Sequence, residues 1–268
     1  MNDIAPERHT ITLERHSREF EIELPIGHLD ADGRLHRTAA LRKMTGRDEA
    51  IMADKNNRNN AARMITELLA NCLIRIGDIE KPGRSIVQQL YSGDRYFLLM
   101  KLREITFGPD MQASYSCPTC REANGLIEDL SALEVLRLGD GELPEDIVVV
   151  LDDGYDDRNG QHHDTFVFRY PTGTDEEKIA SAVRENASAG KNALMARCLK
   201  SCGDMPKNRM EGLGTAIFND LTLGDRARID RALNEQGPGI RLSREVNCVN
   251  CGRHFTATLD LSNFLSAS

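Results

Sequence analysis

A chain that repeats itself must fold one unit twice and then pack the two copies. Residues 20–49 (FEIELPIGHLDADGRLHRTAALRKMTGRDE) align without a gap on residues 147–176 (IVVVLDDGYDDRNGQHHDTFVFRYPTGTDE), at an offset of 127, with 11 of 30 positions identical. Average composition gives roughly two matches by chance. The identities include Leu24/Leu151, Gly33/Gly160, His36/His163, Arg42/Arg169 and the TGxDE pairs that begin at Thr45/Thr172. NCLIRIGD (71–78) then falls on RCLKSCGD (197–204) at an offset of 126. LYSGDR (90–95) falls on LTLGDR (221–226) at 131, so the second copy carries five extra residues between its GD and GDR motifs. Repetition at a long fixed period points to a duplicated structural unit.

The same offset of 131 carries Cys117 onto Cys248, Cys120 onto Cys251, and the DLS at Asp129 onto the DLS at Asp260. Two CxxC turns can present four thiolates to one ion, the closed tetrahedral set of a zinc ribbon, and such a site is structural because no position is left open for water. The intervening stretch, residues 121–247, is far longer than the usual ribbon gap. Duplication offers a way round it: copies packed about a pseudo-twofold axis bring equivalent hairpins together around one shared Zn2+. Two metal-free half-sites and an intermolecular site are the other arrangements open to these residues.

Each copy reads as an α+β unit. FEIEL or IVVVL and RTAALR or DTFVFR form a hairpin, with Asp32-Gly33 or Asn159-Gly160 supplying the positive φ of the turn. The TGxDE motif opens a helix with acids in its first turn. AARMITELLANCLIRIG and KNALMARCLKSCG are expected to be helices capped by Gly77 and Gly203. Another helix starts at each GDR, and each copy closes on a cysteine hairpin. The division that follows is an N-terminal segment 1–19, repeat 1 at 20–133, an acidic linker 134–146 and repeat 2 at 147–265. Residues 128–157 hold eleven acids and one base, Arg137, and are read as an exposed junction. DDGYDDRNG lacks the acid spacing and closing Glu of a helix-loop-helix calcium site.

Other candidates for chemistry have blander readings. Cys72, Cys198 and Cys202 fall in apolar stripes and are expected to be small core residues. His36 and His163 are expected to anchor turns. The Asp94 and Asp225 carboxylates are expected to accept from free backbone N–H groups or to pair with the neighbouring copy. No GxSxG, Walker, HExxH or paired-carboxylate pattern stands out, and no catalytic residue is assigned. A net charge of −8, a sequence without Trp and 5% aromatic residues weigh against nucleic acid as the main partner. No apolar run is long enough for a transmembrane helix and the N-terminus lacks a signal-peptide core, so a soluble cytosolic product with reduced cysteines is expected.

The order ELPIGHLDADGRLHRTAALRKMTGRDEA, NCLIRIGDI, LYSGDRYFLLMKLREITFG, YSCPTC resembles the baseplate hub and hub-assembly family of T-even-like contractile phages and tail-derived injection systems. The similarity spans roughly residues 23–130 and, through the repeat, a weaker 148–261. It implies a non-enzymatic component of baseplate assembly, either built into the hub or acting as a helper. Its implied partners are other hub, spike or wedge proteins, with no membrane and no small-molecule substrate. It implies cytoplasmic assembly in the producing cell, and Cys117, Cys120, Cys248 and Cys251 as the metal-holding positions. The second copy departs from the pattern with Val249 for Pro118 and no TFG after its helix. A zinc-ribbon nucleic-acid-binding or regulatory protein is the alternative reading.

Overall fold

The computed structural model describes residues 19–234, 237–259 and 264. Most of segment 1–19 and the second DLS lie outside the described residues. The first half runs β1 (Phe20–Leu29), β2 (Leu35–Leu41), α1 (Gly46–Ala53), α2 (Lys55–Arg58), α3 (Ala61–Cys72), β3 (Leu73–Ile76), β4 (Ile79–Glu80), α4 (Arg84–Gln89), α5 (Ser92–Phe107), β5 (Asp110–Ser116), β6 (Ala123–Asp129) and β7 (Val135–Leu136). The second runs β8 (Ile147–Asp156), β9 (His162–Phe168), α6 (Gly173–Glu185), α7 (Ala187–Cys198), β10 (Leu199–Cys202), α8 (Lys207–Leu213), α9 (Ala216–Asp220), α10 (Leu223–Asn234), β11 (Gly239–Ile240), β12 (Ser243–Asn247) and β13 (His254–Thr258). The result is a mixed α+β chain with an antiparallel sheet in each half, ordered β1-β2-β3-β4 and β10-β9-β8.

The expected long helices stop early. α3 ends at Cys72 and α7 at Cys198, and the next four residues of each are strand. Leu73–Ile76 pairs with β2, and Leu199–Cys202 pairs with β9. A sheet edge supplies backbone partners that the local apolar periodicity does not reveal, so the ladder overrides it. Gly77 and Gly203 are therefore turn residues after a strand, at φ 53° and 49°.

Identical residues at matched positions make matched contacts. Arg42 grips the buried Asp48 with two hydrogen bonds of 2.8 and 2.9 Å, and Arg169 grips Asp175 at 2.6 and 2.9 Å. Each Asp also accepts from the backbone N–H of its N-cap threonine, Thr45 or Thr172, which ties strand, cap and helix together. The Asp94 carboxylate accepts from the N–H groups of Ile26 and Gly27 at 2.8 Å, whereas that of Asp225 accepts from Asp152, Asp153 and Gly154. Burial pushes Asp94 up to about 6 despite its two donors, while Asp225 stays below the usual carboxylate range: its smaller burial penalty is outweighed by three backbone N–H donors and the nearby Arg228 charge. The aspartates of the two GDR triplets thus staple a helix to an irregular strand.

His36 and His163 are turn anchors. His36 Nε2 lies 2.8 Å from Asp30, and His163 Nε2 lies 3.5 Å from Asp157. Their rings fill the space where Gly77 and Gly203 would carry a Cβ, at 2.1 Å and 2.8 Å from the nearest ring atom. Gly77→Ala is expected to cost about 1–3 kcal/mol, from the left-handed backbone and displacement of the ring. Urea denaturation of the full chain measures it; an unchanged midpoint would remove the ring-packing account.

Two apolar cores form, and they divide the chain differently from the sequence repeat. Leu68, Leu69, Phe97, Leu98, Leu102 and Met111 build the first, and Ile240, Val246 and Phe255 join it from the far end of the chain. Val149, Leu151, Phe166, Phe168, Phe218 and Ile229 build the second. Burying each large side chain is worth about 1.5–3 kcal/mol, which is why the second cysteine hairpin stays with the first half. The acidic stretch 134–146 is also tied down. β7 pairs with β11, Leu138 N–H donates to Pro25, and Arg137 donates to the Glu23 carbonyl. Among the described residues no helix is long and apolar enough to cross a membrane.

Candidate metal centre

The two cysteine turns are built alike. Each begins where a strand ends, β5 or β12, and closes on itself before the return strand. Cys117 N–H donates to Glu122 at 2.8 Å and Cys248 N–H donates to Arg253 at 2.8 Å. Arg121 N–H returns to the Cys117 carbonyl and Gly252 N–H to that of Cys248, both at 2.9 Å. The residue after the second cysteine must be left-handed to make this loop, with Arg121 at φ 63° and Gly252 at φ 70°. Glycine adopts that geometry freely; Arg121 holds it at a cost of about 1 kcal/mol.

The hairpins meet sulfur to sulfur. The four Sγ atoms of Cys117, Cys120, Cys248 and Cys251 all lie within 4.8 Å of one another. They pair crosswise, Cys117 with Cys251 at 3.7 Å and Cys120 with Cys248 at 3.5 Å. These separations are far beyond an S–S bond of about 2.05 Å, and they match the roughly 3.8 Å edge of a tetrahedron with metal–sulfur bonds of about 2.3 Å. All seven cysteines are free thiols. Cys117 and Cys248 are buried, Cys120 is half-buried and Cys251 is exposed, so an ion can enter from one side.

The electrostatics favour a cation. Backbone N–H groups of Cys120 and Thr119 point at Cys117 and lower its pKa. Those of Cys251 and Asn250 point at Cys248 and bring it down to about 6. Cys251 receives the Arg253 N–H, yet the sulfurs of Cys120, Cys248 and Cys117 push it up to about 12. Four thiolates this close cannot all ionise unless a positive charge stands among them, and the residues present fit one metal ion.

Supports outside the cysteines escape the sequence. Buried Asn124 donates to the carbonyls of Tyr115 and Glu122 and accepts from Val249 N–H at 2.8 Å, which bolts one turn to the other. Glu128 accepts from Tyr115 Oη at 2.6 Å and from Arg244 Nε at 3.1 Å, bridging β6 and β12. At the offset of 131 Asn124 faces Phe255, so self-comparison gives no signal for it. The remaining cysteines stand apart: burial raises Cys72, Cys198 and Cys202 to about 12, as expected of core thiols.

Comparison with curated proteins and with solved structures returned no match. A family model described as T4 bacteriophage base plate protein matches residues 17–266, nearly the whole chain and both cysteine hairpins. The chain belongs to the T4 bacteriophage base plate protein family.

Proposed function

We propose that this chain is a non-enzymatic structural or assembly component of the hub of a contractile tail baseplate, and that Cys117, Cys120, Cys248 and Cys251 hold one structural Zn2+ within it. The observation that carries the reading is the convergence of four sulfurs from hairpins 131 residues apart, in a chain of this family. Zinc is the ion that four thiolates in a closed tetrahedral set favour, and such a site adds rigidity rather than reactivity. The matched Arg–Asp, GDR and histidine contacts support a duplicated unit, with repeats at 20–133 and 147–265 and a linker at 134–146. The ion staples the two copies and fixes the surface that neighbouring hub, spike or wedge proteins meet. Assembly takes place in the cytoplasm of the producing cell.

Co-purification tests the partner reading. With the tail genes expressed together, the tagged chain is expected to bring down at least one hub, spike or wedge protein, identified by mass spectrometry. Recovery of the chain alone would overturn the assembly role. Its presence in purified particles distinguishes a resident component from a helper released before completion.

A further inference from the structure

Away from the cysteine hairpins, the two halves meet through unlike surfaces. Residues 90–95 of the first half act as a plug, and residues 171–176 of the second act as its seat. Ser92 N–H donates to Pro171, Gly173 N–H donates to Leu90, and Tyr91 bridges Thr172. The plug ends in Arg95, whose side chain is 1% exposed and whose Nε lies 3.0 Å from Glu176. Gly173 lies under this guanidinium, and a Cβ there would fall 2.6 Å from it.

Each half carries the sequence of both parts. The seat residues Thr172, Gly173 and Glu176 match Thr45, Gly46 and Glu49, and the plug LYSGDR matches LTLGDR at 221–226. Among the described residues, nothing docks on the first half's seat and the second half's plug meets no seat. Thr45, Gly46 and Glu49 are exposed, and a Cβ on Gly46 would meet nothing within 4 Å. They border a cavity of about 320 Å³ lined also by Met44, Met52 and Phe107. On the unused plug, Leu223 is 78% exposed. Arg226, the match of Arg95, has its Nε buried with no hydrogen-bond partner, while its Nη2 donates to Ser188 Oγ at 2.8 Å, a bond that docking must exchange.

We propose that the plug at 221–226 of one copy docks into the seat at 44–49 of a second copy, with Arg226 meeting Glu49. Contact of this kind is heterologous: every copy keeps one free plug and one free seat, so association runs head to tail and yields a closed ring or an open chain. The second copy is the occupant because the chain already holds the complementary pair within itself, and a partner bearing the same plug must match that geometry. One element is missing. Glu177, which accepts from Thr66, Arg84 and Gln88 within the chain, is matched by Ala50, so the contact between copies is weaker than the one inside each.

Sedimentation velocity of the full chain across a concentration series tests this. Wild type is expected to associate, and Glu49→Arg and Leu223→Asp are each expected to weaken association about tenfold or more with unchanged thermal unfolding. Leu223→Asp spoils only the plug and Glu49→Arg only the seat. A mixture of the two is therefore expected to stop at a dimer of one chain of each. Arg226→Glu combined with Glu49→Arg restores the charge pair and is expected to recover association. Monomeric wild type at every concentration would overturn the proposal, and this includes the case in which a different baseplate protein fills the seat. A mixture that behaves like its separate components would also overturn it.

Discussion

Cys248→Ser is expected to empty the metal centre and loosen the C-terminal hairpin. Wild type should contain about one zinc per chain by elemental analysis, and the variant close to none. Apparent binding free energies of structural zinc run to about 10–16 kcal/mol at neutral pH, so losing one of four thiolates removes a large part of what ties residues 243–259 to the first half. The hairpin does not dissolve, because Val246, Phe255 and Leu259 remain packed in the first core. Limited proteolysis should instead cut near the turn at Cys251, and chelation of wild type should give the same pattern. Cys198→Ser is the control: that thiol is buried in the second core and should leave the zinc content unchanged. Two zincs per chain, or full zinc in Cys248→Ser, would refute a single shared site. Metal affinity should also fall with falling pH, since protons compete for the thiolates.

The second large effect concerns a carboxylate. Asp175 accepts from both terminal nitrogens of Arg169, from Arg197 Nε at 3.0 Å and from the Thr172 N–H. Asp175→Ala leaves Arg197 Nε and the Thr172 N–H without this acceptor, and leaves Arg169 with only the carbonyls of Tyr170 and Arg197, at the junction of β9, α6 and α7. A fully buried ion pair broken on one side costs about 3–5 kcal/mol. The two arginine side chains keep 39% and 31% of their surface in water, so about 2–4 kcal/mol is the expected loss. Chemical denaturation measures it, and a loss below about 1 kcal/mol would show that water replaces the carboxylate adequately. Burial raises the Asp175 pKa, but its arginine and backbone partners outweigh that and hold it below the usual value. Asp48 in the matched position is lowered as well. A depressed folded pKa contributes stability above the unfolded value of about 4, and this is lost as pH falls through the folded value. Acid unfolding below about pH 4 should therefore be shallower in Asp175→Ala, which has one such group fewer.

Much of the fold was legible because local chemistry set it. Asp32-Gly33 and Asn159-Gly160 form the turns that DG and NG favour, with Gly33 and Gly160 at φ 79° and 76°. Thr45 and Thr172 start helices where the TGxDE motif places them. The cysteine spacing specified two turns of one kind, since a thiolate pair separated by two residues needs the same returning N–H wherever it occurs.

What the sequence by itself determined is a set of turns and helix starts at matched positions, and the four cysteines as a set. Only the tertiary structure decided how they are joined. The strands Leu73–Ile76 and Leu199–Cys202 exist because a neighbouring sheet edge offers them partners. The second cysteine hairpin joins the first core because Ile240, Val246 and Phe255 find their apolar burial there. Asn124, Glu128 and the contact of Arg95 with Glu176 join residues 81–125 positions apart. Local periodicity and turn chemistry act over a few residues, whereas burial and hydrogen-bond satisfaction act across space, and no single stretch of the chain encodes the second.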